Sequence, residues 1–292
     1  MNAALTDRAR WRALVAQLEQ GLLERDTAVR LALLAALAGE HVLLIGPPGT
    51  AKSELARRLH RAFGGARYFE RLLTRFSTPE ELFGPLSLKA LEHDRYERLV
   101  DGYLPTASIA FLDEVFKANS AILNALLTLL NEREFDNGSA RVRTPLICVV
   151  GATNEVPAEE ALMAFHDRFL VRAPAAGVSD SAFNALLTLQ PGAPAAAVTV
   201  SNDELRETLA QREHVALPAE VLAALAALRA FAAAQGITVS DRRWRQLVAL
   251  LRSAAHTEGR AAVDTLDLWL VPYVVAAQPA QVPALHDWFV AE

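Results

Sequence analysis

The chain is 292 residues long, carries a formal net charge of −5, and is 52% apolar and 22% charged. That length suits one large domain with a smaller companion, and the composition is that of a globular protein with material for sizeable cores. The acidic balance argues against a broad electrostatic nucleic-acid footprint. The single cysteine, Cys148 in the apolar run 146–150, permits no internal disulfide and no cysteine cluster.

Taken in order, Leu5, Trp11, Leu14, Val15 and Leu18 share one face of a helix expected over 5–20. A second helix is expected over 26–37, capped by Asp26 or Thr27 and stopped by Gly39. The apolar run 42–45 reads as a strand. After it come the turn Gly46-Pro47-Pro48-Gly49-Thr50-Ala51-Lys52-Ser53 and a helix over 53–62, beginning Glu54-Leu55-Ala56 and ending at Gly64-Gly65. Residues 67–72 read as a second strand. Pro79 suits the first position of a short helical turn over 79–83. Leu86-Ser87-Leu88 and Tyr96–Leu99 read as two short strands around Glu92-His93-Asp94, an exposed irregular stretch of a kind more often functional than idle.

A buried strand over 109–112 ends in Asp113-Glu114, and Ser120 is expected to cap an apolar helix through Leu130. Asn137-Gly138 signals a hairpin between 133–135 and 141–143. A buried strand over 146–150 leads to Gly151-Ala152-Thr153-Asn154, followed by a helix over 158–165 and a last strand over 169–171. Helices alternating with short, fully apolar strands predict a parallel sheet covered on both faces. A Pro/Gly-rich linker over 189–202, with Pro191-Gly192-Ala193-Pro194, precedes five helices at 203–212, 218–235, 241–256, 265–275 and 281–290. The fold class is therefore α/β, an αβα parallel-sheet domain over 1–190 followed by a smaller all-α lid over 203–292. Residues 1–12 lack the apolar region of a secretion signal. The longest apolar stretches, 31–38 and 221–234, are short or interrupted by Arg229, so no membrane span and a cytoplasmic location are expected.

The turn at 46–53 sits between strand and helix, the context in which backbone N–H groups and a helix N-terminus cradle phosphates. In such a loop Lys52 reaches the β/γ oxygens and the Ser53 hydroxyl ligates Mg²⁺. Ala51 stands where the general pattern has its second glycine, and a helical φ there would make its methyl tolerable. Asp113-Glu114 closes an apolar strand at the end where open α/β sheets place ligands. Asp113 is expected behind the Mg²⁺, and Glu114 is placed to polarise a water for attack on a γ-phosphate. Asn154, at the end of the next buried strand, is placed to hold that water or a γ-oxygen. Arg168 reads either as a solvated or ion-paired residue or as a group reaching a neighbouring subunit's γ-phosphate. Arg242 and Arg243 open a helix behind Ser240-Asp241 and so oppose its dipole, a placement that a bound triphosphate would explain.

Gly46–Ser53, Phe111–Glu114, Gly151–Asn154, Asp167-Arg168-Phe169 and Ser240-Asp241-Arg242, in this order, resemble an AAA+ ATPase of the MoxR family. Alanine before the lysine is a mark of that family. Residues 74–87, Gly102–Pro105, Leu22–Arg25 and Val239–Trp244 look similar to its RavA branch. The resemblance implies that Lys52 and Ser53 are Walker A residues and Asp113 and Glu114 Walker B. It implies that Asn154 is sensor 1, Arg168 an arginine finger acting in trans, and Arg242 sensor 2, with Leu23 and Glu24 beside the adenine. Residues 79–105 correspond to the helix-2 insert and 133–145 to the pre-sensor-1 hairpin, which face the pore in related machines. The implied cofactors are ATP and Mg²⁺, held between the α/β domain and the lid, with Arg242 reporting the γ-phosphate state through the lid angle. The implied assembly is a homo-oligomer, a hexameric ring that remodels or activates a client protein, with a von Willebrand factor A-domain protein as partner. Alternatives are a nucleotide-gated interaction module with slow hydrolysis and a Mg-chelatase-like ATPase subunit. RavA-type proteins continue past the lid into a β-rich partner-binding region, whereas residue 292 lies about where a lid would end. A nucleic-acid motor is disfavoured, because Glu92, Asp94, Glu97 and Asp101 offset Lys89, Arg95 and Arg98 in the insert.

Overall fold

A computed structural model describes residues 3–189 and 198–291. The Pro191–Pro194 segment and the side chain of Leu5 lie outside what is described. The chain runs α1 (Ala3–Glu19), α2 (Asp26–Leu37), β1 (Val42–Ile45), α3 (Lys52–Arg61), β2 (Tyr68–Leu72), α4 (Pro79–Phe83), α5 (Leu88–Leu91), β3 (Ile109–Asp113) and α6 (Ser120–Glu132). It continues through the hairpin β4 (Glu134–Asn137) and β5 (Ala140–Arg143) to β6 (Cys148–Thr153), α7 (Glu160–His166) and β7 (Val171–Pro174). The remaining helices are α8 (Asp180–Leu187), α9 (Asn202–Gln211), α10 (Ala219–Ala234), α11 (Asp241–Thr257), α12 (Val271–Val275) and α13 (Val282–Ala291).

Five strands form a parallel sheet in the order β2-β3-β6-β1-β7. β1 and β6 are buried along their whole length, so alternate side chains feed two different cores. Val42, Leu44, Ile109, Phe111, Val150 and Ala152 face a core shared with α2 and α3. Leu43, Ile45, Ala110, Leu112 and Val149 face another, built with α6 and the insert. The first core continues without a break into the lid, through Leu228, Leu247, Leu250, Val274, Leu285 and Trp288. The expected separate lid domain therefore shares its interior with the αβα layer.

Local chemistry shifted several boundaries. The cap of α6 is Asn119, not Ser120: the Asn119 side chain accepts from the Ile122 amide at 3.1 Å and donates to the Ser77 carbonyl at 2.8 Å. Neither Asp26 nor Thr27 caps α2. Arg25 occupies that position with no side-chain cap bond, and Asp26 supplies a first-turn acid. The two insert strands reduce to one antiparallel bridge between Leu86 and Arg98. Ser87 accepts from the Ala90 amide and turns Leu88–Leu91 into α5. β6 starts and ends later than expected, reaching Thr153, and α7 and β7 are shifted likewise.

Arg243 explains why β7 begins only at Val171. Its guanidinium, 2% exposed, donates to the carbonyls of Phe169 (3.0 Å) and Leu170 (2.6 Å) and so withdraws them from the sheet. It also donates to the Val274 carbonyl (2.6 Å) and to the carbonyl and carboxylate of Asp167 (3.2 and 3.0 Å). The lid and the approach to β7 are thus joined by one buried cation. Replacing it with methionine, Arg243→Met, leaves those oxygens unpartnered and is expected to cost about 3 kcal/mol of stability, measured by denaturant unfolding.

Candidate functional site

β1 delivers the chain to a loop whose residue types are set by close approach. A Cβ on Gly46 would lie 2.1 Å from the Ala175 carbonyl oxygen, because β7 continues alongside and the Ala175 amide donates to Ile45 at 2.7 Å. Gly49 has φ +78° and open space where a side chain would stand. Thr50 braces the loop by donating its hydroxyl to the Pro47 carbonyl at 2.9 Å. Ala51 does not have the helical φ expected of it: it is left-handed, at φ +62° and ψ 24°, as the N-cap of α3. An alanine in that region carries roughly 1 kcal/mol of strain, which this loop sustains.

Lys52 is 8% exposed, and its ammonium donates to the carbonyls of Gly46 (2.6 Å) and Pro47 (2.8 Å). Burial pushes its pKa down, opposed by the charges of Asp113 and Glu114, so the lysine and both acids share one neighbourhood. Ser53 follows at the second position of α3. Glu54 accepts from Arg58 at 2.9 Å, and Arg58 in turn donates to the carbonyls of Leu18 and Gln20. The glutamate therefore fixes the end of α1 as well as bordering the cleft.

Beside the loop lies a cleft of about 710 Å³, bordered by Leu22, Leu23, Pro47–Ala51, Val178, Phe183 and Leu186. Its size suits a nucleotide, and its walls combine apolar side chains with the glycine-rich backbone. Two features of it were not read from the sequence: the clamp made by Arg25, whose segment Leu23-Glu24-Arg25 was expected to border the adenine, and the helix α8. Arg25, 7% exposed, donates to the carbonyls of Thr50 (3.1 Å), Glu24 (2.8 Å) and Ala176, clamping the loop from behind. A basic residue just ahead of a helix, opposing its dipole, was the available signal. α8, a helix not expected from the sequence, has no buried residue, yet Phe183 and Leu186 line the cleft. Glu24, at φ +53°, accepts from the amide of Ser179 at 2.7 Å and from its hydroxyl, bonds that hold its carboxyl below the usual range.

At the end of β3, Asp113 accepts from the Glu114 amide at 3.0 Å, and Glu114 itself is left-handed at φ +52°. That turn aims the Glu114 carboxylate at the end of β6, where the Asn154 amide donates to it at 2.9 Å and Lys117 sits at 3.2 Å. Gly46–Ser53, Asp113, Glu114 and Asn154 are thereby gathered at the C-terminal edge of three neighbouring strands.

Arg168 and Arg242 are elsewhere, and the expectation that Arg242 contacts this chain's own nucleotide is corrected. Arg168 precedes β7, whose Val171 pairs with Val42 at the start of β1. Arg242 donates to Asn131 at the end of α6, at 3.2 Å. Both stand at the N-terminal edge of the sheet, a strand length of ~13 Å or more from the loop, and among the described residues none of the lid borders the cleft. They are close to each other, since burial and then the charge of Arg242 lower the pKa of Arg168. The nearby Asp167 carboxylate is engaged by Arg243 and Arg172, and the Arg168 Nε has no hydrogen-bond partner among the described residues. Arg243, the other arginine that opens α11, is consumed by the carbonyls described above.

The insert and hairpin form one unit. The Asn137 side chain accepts from the Arg98 amide at 2.6 Å and donates to its carbonyl at 3.2 Å, mimicking a strand neighbour. A Cβ on Gly138 would lie 2.0 Å from the Tyr96 carbonyl oxygen, and one on Gly84 2.0 Å from that of Leu99. Leu88, Tyr96, Leu99 and Val142 are exposed on this unit.

The sequence matches two family models: over residues 9–212, that of the MoxR domain in MoxR–vWA–β-propeller ternary systems, and over 220–289, that of an AAA lid domain. α9, assigned above to the lid, falls in the first of these. Two uncharacterised proteins of Methanocaldococcus jannaschii are each 40% identical, over 88% and 90% of this chain and 68% and 70% of their own lengths. Protein MoxR of Methylorubrum extorquens is 30% identical over 58% of this chain and 51% of its own length. The crystal structure of a candidate ATPase from Cytophaga hutchinsonii aligns with a TM-score of 0.73 at 17% identity, covering 93% of this chain and 87% of that one, a likeness of fold.

The strain at Ala51 is open to direct measurement. Ala51→Gly is expected to raise unfolding free energy by about 1 kcal/mol, read as a higher denaturation midpoint with unchanged slope.

Proposed function

This chain belongs to the MoxR family of AAA+ ATPases, and from that premise we propose that it hydrolyses Mg·ATP at the boundary between copies of itself. The observation that carries this reading is the convergence of Lys52, Asp113, Glu114 and Asn154 at one edge of the sheet, while Arg168 and Arg242 stand at the other. The residues at the loop fit a bound nucleotide: Gly49 stands open at the cleft, α3 begins beside it, and the Lys52 ammonium is held next to it on the Gly46 and Pro47 carbonyls.

In this reading the amides of residues 49–53 and the N-terminus of α3 receive the phosphates. Lys52 exchanges the Gly46 and Pro47 carbonyls for phosphate oxygens. Ser53 would ligate a Mg²⁺ with Asp113 behind it, and the ion would supply neutralisation of phosphate charge. Glu114 accepts a proton from the attacking water, and Asn154 holds the carboxylate and that water in line. Leu23 and Phe183 enclose the base. A single chain cannot bring Arg168 and Arg242 to its own cleft, so a neighbour supplies both guanidiniums to the developing charge. A closed ring, hexameric by family resemblance, satisfies every such boundary in the same way. The insert and hairpin are the surface through which hydrolysis acts on a client. The description of the matched family supports a von Willebrand factor A-domain protein as partner, and a chaperone-like role in the cytoplasm suits this assembly. The grip of Asn154 and Lys117 on the Glu114 carboxylate also favours slow basal turnover that a partner relieves, the nucleotide-gated form of the same reading.

Glu114→Gln is expected to leave nucleotide binding intact and lower turnover at least ~100-fold; unchanged turnover removes Glu114 from the role of base. Light scattering with ATP, with ADP and without nucleotide is expected to show association in ATP. A monomer under all three conditions overturns the trans-acting arginines.

A further inference from the structure

α2 ends in a motif that leaves little freedom to the residue after it. Gly39, at φ +71°, donates to Ala36, and the Glu40 amide reaches back to Ala35 at 2.8 Å, closing the helix end. Two carbonyls at this end are taken by arginines from other elements: Ala38 by Arg212 at 2.6 Å and Gly39 by Arg133 at 2.7 Å. The Glu40 carboxylate accepts from Gln246 at 2.8 Å. Gln246 lies four residues beyond Arg242 on α11, on the same helical face. The carboxylate also stands in the fields of Arg133, Arg212 and Arg242, and its burial pushes its pKa up to about 6 against their pull. His41, beside it, is buried and neutral, spanning the Val149 amide and the Leu130 carbonyl.

A burial cost of this kind calls for a return, and the surroundings supply one. Arg242 and Arg168 repel each other, and the Asp167 carboxylate near them is committed to Arg243 and Arg172. We propose that Glu40 is a positioning residue for the neighbour's hydrolysis site: it pins the first turns of α11 through Gln246, and its charge holds Arg242 in the outward pose in which it meets the adjacent subunit's nucleotide. Glu40 touches no substrate itself. The inference rests on the trans-acting reading of Arg242.

The test uses the full chain and the near-isosteric Glu40→Gln, which keeps an acceptor for Gln246 but removes the charge. Turnover is expected to fall at least about fivefold, with affinity for a fluorescent ADP analogue within about twofold of the parent. Mixing E40Q with E114Q protomers is expected to restore turnover, because E114Q cannot hydrolyse but presents an intact Glu40 and Arg242 to its neighbour. Mixing E40Q with R242A is expected to restore nothing. Parental turnover in E40Q overturns the inference. So does a loss that E114Q fails to rescue while it rescues R242A, since Glu40 would then act within its own subunit. If E114Q does not rescue R242A, the trans reading of Arg242 falls, and this inference falls with it.

Discussion

All five strands of the central sheet run the same way, and two of them are buried along both faces. From that constraint the rest follows. A parallel sheet gathers every strand's C-terminal end at one edge, so the loop at 46–53, the acids at 113–114 and Asn154 meet without any further device. The same rule sends the residues that precede strands to the opposite edge, and Arg168 is one of them. The lid then adds to this polarity. Anchored by Arg243 to the carbonyls of Phe169 and Leu170, α11 presents Arg242 at the edge far from its own cleft. The protomer thus carries the loop, the acids and Asn154 at one edge of the sheet and Arg168 and Arg242 at the other.

Backbone strain follows the same division. Of the five non-glycine residues with positive φ among those described, Ala51 borders the cleft, Glu24 sits between the lining residues Leu23 and Arg25, and Glu114 belongs to the acid pair. Each is held by specific bonds nearby: Glu24 by Ser179, the loop at Ala51 by the Arg25 clamp on Thr50, and Glu114 by Asn154. Strained residues persist where the surroundings over-determine them. Here they turn the backbone and aim one carboxylate, giving each a plain geometric task.

Four strands of the sheet and the loop at 46–53 were legible in the sequence because their signals are local: apolar runs of three to five residues, glycines, and a lysine-serine pair at a helix start. The family could be read from the order of the short motifs. What escaped was set by partners distant along the chain. No pattern around Ser120 shows that Asn119 would be drawn to both Ile122 and Ser77. Nothing in Leu86–Leu88 reveals that Ser87 would start a helix instead of extending a strand. Ala51 was expected to be helical since its neighbours are, whereas the turn needs a left-handed residue. The position of Arg242 is the instructive case: its motif could be recognised, but which edge of the sheet it occupies depends on how the lid's core merges with that of α2. That is a property of packing, and periodicity carries no trace of it.

The grip between Asn137 and Arg98 has a mechanical reading. The hairpin is rooted between α6, which follows the acids at 113–114, and β6, which ends beside Asn154. With Gly84 and Gly138 letting backbones touch and Asn137 bonded to both the amide and the carbonyl of Arg98, the insert has no joint of its own. A displacement of the hairpin would therefore carry Tyr96 and Leu99, both exposed, along with it.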